Sequence, residues 1–346
     1  MYKKQTKIFK RFFKHIVATT IGTYLEFSGP SILKKSLTIF IYHDVTNTPS
    51  EFSRMYNLYV NPNVFDYQIG YIKKTFNVIT PKSLIDGNIP PNAALITFDD
   101  GLKNVFTQAY SILKKHNVPA IVFLNMEPIN EGTAFWAGLI TYLCEKRSDF
   151  CNYLYANLTK DKIKTPLFLS CSRELVLSFL QDNNLDLNHE IKRFIGDFAT
   201  PDDLNMVASE NILFFGNHLY NHDVALLLSD TELIDSYRKN DTALSKYPNS
   251  CKLFAFPFGQ QFTCFEKRQI SLICQEGAKK VFSSHPIPNN DVSMYYLHRI
   301  ELTNFNNTSQ KIWYQIFYKN MRTTVNKLIK PVNQKQLVDK EVSYNQ

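Results

Sequence analysis

The chain has 346 residues, 44% of them hydrophobic and 20% charged, the proportions of a folded globular protein with a sizeable core, and its length suits a single α/β barrel. The formal net charge is +8, but Lys3, Lys4, Lys7, Lys10, Arg11 and Lys14 all precede the first acid, Glu26, so much of the basicity is terminal and no nucleic-acid partner is expected. Six cysteines (Cys144, Cys151, Cys171, Cys251, Cys264, Cys274) lack C-x-x-C spacing, which argues against a zinc ribbon or a thioredoxin-type pair and suits free thiols in a reducing compartment.

Residues 1–36 form a basic amphipathic helical region. Phe9, Phe12, Phe13, Ile16 and Val17 recur at helical spacing, with Lys3, Lys7, Lys10 and Lys14 on another face. Such a helix lies in the headgroup region of an anionic bilayer, giving peripheral membrane contact through residues 3–17, or packs on the protein's own body. His15, Thr19, Thr20 and Thr23 interrupt the apolar region and disfavour a signal peptide. No uninterrupted apolar run is long enough to span a membrane. The expected location is cytoplasmic or peripheral on the inner membrane face, ahead of secretion.

From residue 37, buried-strand runs alternate with helical patterns. Leu37–Val45 is a strand ending in His43 and Asp44; a helix follows over about 64–76, then a short strand at 77–80. Ala94–Phe98 is a strand running into Asp99-Asp100-Gly101, followed by a helix over 105–116 and a strand at 119–124. The rhythm breaks over about 134–209, a helical insertion read as a lid or a substrate-selecting surface. It resumes with a strand at 212–215 leading into His218, a helix over 231–247, and a strand at 253–256 stopped by Pro257-Phe258-Gly259. A helix over 265–276 and strands at 280–282 and 295–302 close the set. This alternation predicts parallel pairing of βα units over 37–302. An aromatic helix around Trp313, expected as core packing, occupies 303–330, and 331–346 is a polar tail.

Two stretches carry chemistry. Asp99 and Asp100 are adjacent carboxylates at the end of a buried strand, an unfavourable pairing unless a cation binds one and leaves the other as a base; the plainer alternative is a strand-to-loop turn. His218-Leu219-Tyr220-Asn221-His222 sets two imidazoles four residues apart, on one side of a helical turn if the segment is helical. In a parallel barrel both stretches follow strands and so share one face. Two histidines and one aspartate leave coordination positions open for water and substrate.

Thr97-Phe98-Asp99-Asp100-Gly101, His218-x-x-x-His222 and Phe254-Ala255-Phe256-Pro257-Phe258-Gly259, in that order, resemble the polysaccharide deacetylases of the NodB-homology type. Tyr42-His43-Asp44-Val45 and Leu297-His298-Arg299-Ile300 are similar too, the first to the branch that draws its acid from the first strand. The resemblance implies a distorted (β/α)7-type barrel with a helical insertion and flanking terminal helices. It implies an enzyme that hydrolyses the amide of an N-acetylated or other N-acylated amino sugar, in a surface polysaccharide, peptidoglycan or lipid-linked glycan. The implied cofactor is a divalent metal, Zn²⁺ by expectation, on Asp100, His218 and His222. Asp99 is the implied general base, His43 the general acid with His285 and His298 as substitutes, and Arg299 the residue steadying Asp99. A backbone N–H at Phe258, after Pro257, is the implied oxyanion donor. Leu219 stands where the family has Ser or Thr, Ala255 and Phe256 stand where one branch has an arginine, and Phe258 replaces a common Tyr. The competing readings are a deformylase of a polyprenyl-phosphate-linked sugar and a catalytically silent barrel that binds glycan or a partner. Phosphoester hydrolysis would want more carboxylates or a second metal.

Overall fold

A computed structural model describes residues 2–133, 135–164 and 166–318, with side chains from residue 15 onward. The stretch 319–330 of the expected C-terminal helix and the tail 331–346 lie outside the described residues, as do the side chains of the basic and aromatic residues before His15.

The strands are β1 (Leu37–Tyr42), β2 (Asp44–Val45), β3 (Tyr59–Val60), β4 (Asn77–Val78), β5 (Ala93–Phe98), β6 (Ala120–Leu124), β7 (Leu213–Asn217), β8 (Ser250–Ala255), β9 (Lys280–Phe282), β10 (Tyr296–Leu297) and β11 (Ile300–Glu301). Nine form one sheet in the order β10-β9-β8-β7-β6-β5-β1-β11, with β4 beside β5, while β2 and β3 pair separately. Every pairing between these strands is parallel. The runs LTIFIY, AALITF and AIVFL of β1, β5 and β6 are buried throughout, as strands covered on both faces must be. Alternate residues divide between two clusters. Leu37, Ile39, Leu95, Ile121, Phe123, Leu253, Ala255 and Phe282 fill the interior, while Phe40, Tyr42, Ile96, Phe98 and Val122 pack beneath the surrounding helices.

The two ends of the sheet come from one segment. β10 pairs with β9 and β11 pairs with β1, and only His298 and Arg299 separate them. They form a single seventh strand broken in the middle, which makes the sheet a distorted (β/α)7 barrel. Asn289 fills the break: its backbone exchanges hydrogen bonds with Leu37 at 2.8 and 2.9 Å. Its side chain accepts from the His298 N–H at 2.7 Å and donates to the His298 carbonyl at 2.9 Å. Such an irregularity re-aims side chains, and here it turns Arg299 into the barrel, fully buried.

Helices Pro62–Thr75, Asp230–Leu244 and Lys267–Gln275 cover the barrel. Ser229 and Glu232 cap the second of these reciprocally, which starts it close to the predicted residue 231. The helix predicted over 105–116 is divided into a π turn at Val105–Ala109 and an α segment at Tyr110–His116. The insertion contains the helices Trp136–Lys146, Ser148–Asn157, Arg173–Asp182, Asn188–Ile195 and Pro201–Val207. They enclose an apolar cluster of their own around Phe150, Val176, Phe179 and Phe194. All six cysteines are free, and the nearest sulfurs, Cys144 and Cys171, are 3.7 Å apart.

The first helix spans Tyr2–Ile32. Gly22 and Gly29 let it lie directly on Gln310 and Trp313, where a Cβ would meet atoms at 2.0 and 2.2 Å. Glu26 accepts from Gln310 at 2.9 Å, and Leu25 joins the core beneath the helices. Of the two expectations for this helix, packing on the body therefore holds for its second half.

Candidate active site

The C-terminal ends of β1, β5, β7 and β8 and the break before β11 converge on one cavity of about 300 Å³. Its walls include His43, Asp99, Asp100, His218, His222 and Glu301. Residues as far apart in the chain as His43 and Glu301 therefore meet in space.

Asp99 and Asp100 point in different directions because the chain turns sharply between them. Asp100 and Gly101 take φ of 72° and 90°, successive left-handed residues that favour glycine at the second position, where a Cβ would also meet Leu124 at 2.7 Å. Asp99 receives Arg299 across both carboxylate oxygens, at 2.6 and 2.7 Å, and Arg299 also donates Nε–H to the Ser283 carbonyl at 3.0 Å. Burial pushes the Asp99 carboxyl up, but the Arg299 guanidinium, with His218 and His43 adding, holds it below the usual carboxylate range. Asp99 is thus ionised at neutral pH and able to accept a proton.

Asp100 faces the histidines. Its Oδ1 lies 3.2 Å from His222 Nε2 and 3.6 Å from His218 Nε2. One ligand atom from each of these three buried residues falls within 4.8 Å of the other two. His218 Nδ1 sits 2.7 Å from the Ala255 carbonyl, which only accepts, so that nitrogen carries a proton and Nε2 is the atom turned toward Asp100. Burial pushes the Asp100 carboxyl up, yet the two imidazoles hold it well below its ordinary value. Burial also drives the His222 imidazole down. A buried carboxylate with two imidazole nitrogens within 3.6 Å of one of its oxygens is a donor set that fits a divalent cation.

The spacing of His218 and His222 suggested a helical turn, and the structure corrects this. The segment is a loop in which Leu219 and His222 have φ of 59° and 60°, outside the helical region. An amide network holds it. Asn217 accepts from the Leu219 N–H at 3.0 Å, Asn125 donates to the Leu219 carbonyl at 2.9 Å, and Asn221 donates to Glu127 at 2.8 Å. The rings still meet, with centroids 4.9 Å apart. Leu219 is buried in the apolar cluster of Phe254 and Phe256, so the position where the resemblance expects Ser or Thr serves packing here.

His43 follows β1, and its Nδ1 is buried without a partner. Glu301 pairs in register with Ile41, two residues before His43, and all three line the cavity. Burial pushes the Glu301 carboxyl up while His43 draws it back. Glu301 was not singled out from the sequence; the available signal was its place at the end of the last strand, two residues after Arg299. His298 and His285 are not among the lining residues. Their rings lie 5.3 Å apart, His298 is bonded to Ser283 at 2.9 Å, and burial, with His285 adding, pushes it down to about 4.

Phe258, with φ of 61°, lines the cavity; Pro257 is buried behind it and has no N–H to offer. The insertion supplies part of the remaining wall, beside Phe52, Tyr56 and Leu58. Phe135 meets the His222 ring at 4.9 Å, and Phe168 stacks on Phe258 at 4.8 Å, which itself stands edge-on to His222. Arg173 lies 4.2 Å over Trp136 and 3.4 Å from Asp223, bracing the residue after His222.

The chain matches the sequence profile of polysaccharide deacetylase over residues 86–270. No curated protein matches it by sequence. Among solved structures it is similar to the Streptococcus pyogenes deacetylase PplD in complex with acetate, at 16% identity and a TM-score of 0.55, covering 81% of this chain and 98% of that one. It is likewise similar to IcaB from Ammonifex degensii (15% identity, TM-score 0.55, 81% and 97% covered). A de-N-acetylase from Aggregatibacter actinomycetemcomitans is similar as well (15%, 0.53, 81% and 99%). At such identities the structural likeness speaks to the fold, and the profile, which spans more than half the chain, speaks to the lineage: this protein belongs to the polysaccharide deacetylase family and is an amide hydrolase of that kind.

Proposed function

We propose that the protein hydrolyses the N-acyl group of a neutral amino sugar within a glycan, with Asp99 as base, His43 as acid, and Asp100, His218 and His222 as the ligands of one divalent cation. The observation that carries this reading is the division of labour between neighbours: Asp99 is clamped by Arg299 while Asp100 faces two imidazoles. The cation, Zn²⁺ by the chemistry of its donors, supplies Lewis acidity toward the acyl carbonyl and water. Asp99 takes the proton of the attacking water as its oxygen bonds to the acyl carbon. The Phe258 backbone N–H is the donor assigned to the oxygen that gains charge. As the C–N bond breaks, His43 delivers a proton to the departing nitrogen, leaving a carboxylate and a free amine. Among the described residues no Lys or Arg lines the cavity, and Phe135 and Phe258 crowd His222 with Phe168 stacked on Phe258, which favours a small acyl group on an uncharged sugar.

The first test is metal content. Protein prepared without chelator binds one zinc per chain, and Asp100→Asn with His222→Ala binds less than a tenth of that while keeping its circular dichroism. Near-zero occupancy in the wild type after zinc addition would favour the silent binding barrel. The second concerns the acid. His43→Gln lowers kcat for acetate release from N-acetylated oligosaccharides about 10²–10³-fold, yet loses little against an aryl acetate, whose phenolate departs without a proton. An equal loss on both substrates rules out His43 as the acid.

A further inference from the structure

The Tyr2–Ile32 helix has a direction that bears on where the catalytic mouth points. Its end meets the N-terminal edge of the sheet, where the Asn92 N–H donates to the Lys34 carbonyl at 3.2 Å just before β5 begins. Its middle meets the opposite edge: the His15 ring lies 4.9 Å from Phe305, which follows β11. The helix therefore runs down the outside of the barrel from the edge that carries the cavity. Residues 2–14 continue it past that edge, and thirteen residues at about 1.5 Å each extend about 20 Å beyond the mouth.

The side turned from the body carries large apolar residues among the exposed hydroxyls of Thr19, Thr20, Thr23 and Ser31. Phe27 is 82% and Tyr24 71% exposed, and Ile16 and Ile32 are exposed too. Residues 9, 13, 16, 24 and 27 fall on one helical face by sequence spacing. Six basic residues and no acid accompany that overhang, and the first acid, Glu26, is turned inward to Gln310 and Tyr71. Among the described residues no helix is long and apolar enough to cross a membrane.

We propose that this helix seats the protein on an anionic lipid bilayer along its outward stripe, with the barrel axis along the membrane plane and the mouth opening over headgroups. The apolar stripe enters the interface and the overhanging cations meet lipid phosphates, a combination suited to a surface helix. The glycan taken by the cavity is then one held at the membrane surface, a lipid-linked chain included.

Binding is measured on the full chain by co-sedimentation with vesicles of phosphatidylcholine, with and without phosphatidylglycerol. The wild type binds the anionic vesicles at least about tenfold more, and added salt weakens binding. Tyr24→Glu with Phe27→Glu lowers that binding about tenfold or more while acetate release from a soluble oligosaccharide stays at the wild-type rate. Because vesicle binding is read without turnover, it stands apart from the roles assigned in the cavity. Equal binding by wild type and the double variant overturns the assignment. So does a wild type that ignores vesicles and sediments as a dimer which the same substitutions dissociate, since a second copy then covers the stripe.

Discussion

Asp99→Asn is expected to lower kcat for deacylation by about 10²–10⁴-fold, the range a positioned base contributes, with KM changed only a few-fold and zinc stoichiometry intact. Three features make this separable from a structural defect. Asn keeps an oxygen for the Arg299 fork, which reaches both Asp99 oxygens at 2.6 and 2.7 Å. The ligand set Asp100, His218 and His222 does not include the altered residue. The backbone turn is set by Asp100 and Gly101 at positive φ, not by the Asp99 side chain. The contrast with Asp100→Asn is the informative one, since that neighbour should lose metal and activity together. A kcat for Asp99→Asn within tenfold of the wild type, in protein that retains its zinc, would remove the base from Asp99.

Much of this site was legible from residue order because its parts are local. A buried strand followed by two acids and a glycine needs little context, and the parallel alternation of strands and helices puts such strand ends on one face. What was not legible depends on contacts between distant segments. The spacing of His218 and His222 suits a helical turn, whereas the distant Asn125 binds the Leu219 carbonyl and, with the neighbouring Asn217, holds the backbone in a left-handed form. Glu301 went unnoticed because its significance comes from parallel register with Ile41, which the sequence does not display. The insertion was recognised as helical and outside the alternation, but not which of its aromatics would reach the cavity: Phe135 does so from just before the helix Trp136–Lys146 and Phe168 from the single 3-10 turn Leu167–Ser170, both too short for periodicity to place. The broken last strand was read as continuous over 295–302, since nothing in His298-Arg299 signals that Asn289 fills a gap there.

Arg299→Met should be the most destabilising single change at the site, by about 3–5 kcal/mol, because it leaves the Asp99 carboxylate buried without its partner. Met preserves length and apolar bulk, so the loss reports charge and hydrogen bonding, not a cavity. Arg299 is fully buried and donates to Ser283 as well as Asp99, and it sits at the break where the sheet's two ends meet. The two contributions are separated by a double-mutant cycle with Asp99→Asn. Removing the charge from position 99 in the Arg299→Met background should restore about 1–3 kcal/mol, the share owed to the stranded carboxylate. The remainder belongs to the Ser283 contact and the closure of the barrel. Melting is compared in chelator throughout, so that differences in metal occupancy do not enter through ligand-linked stability. Activity should not return with stability in the double variant, because the base is gone. If Arg299→Met melts within a degree of the wild type, or if the cycle shows no coupling, then the guanidinium does not hold Asp99 in its ionised form and the base must be kept charged by the histidines alone.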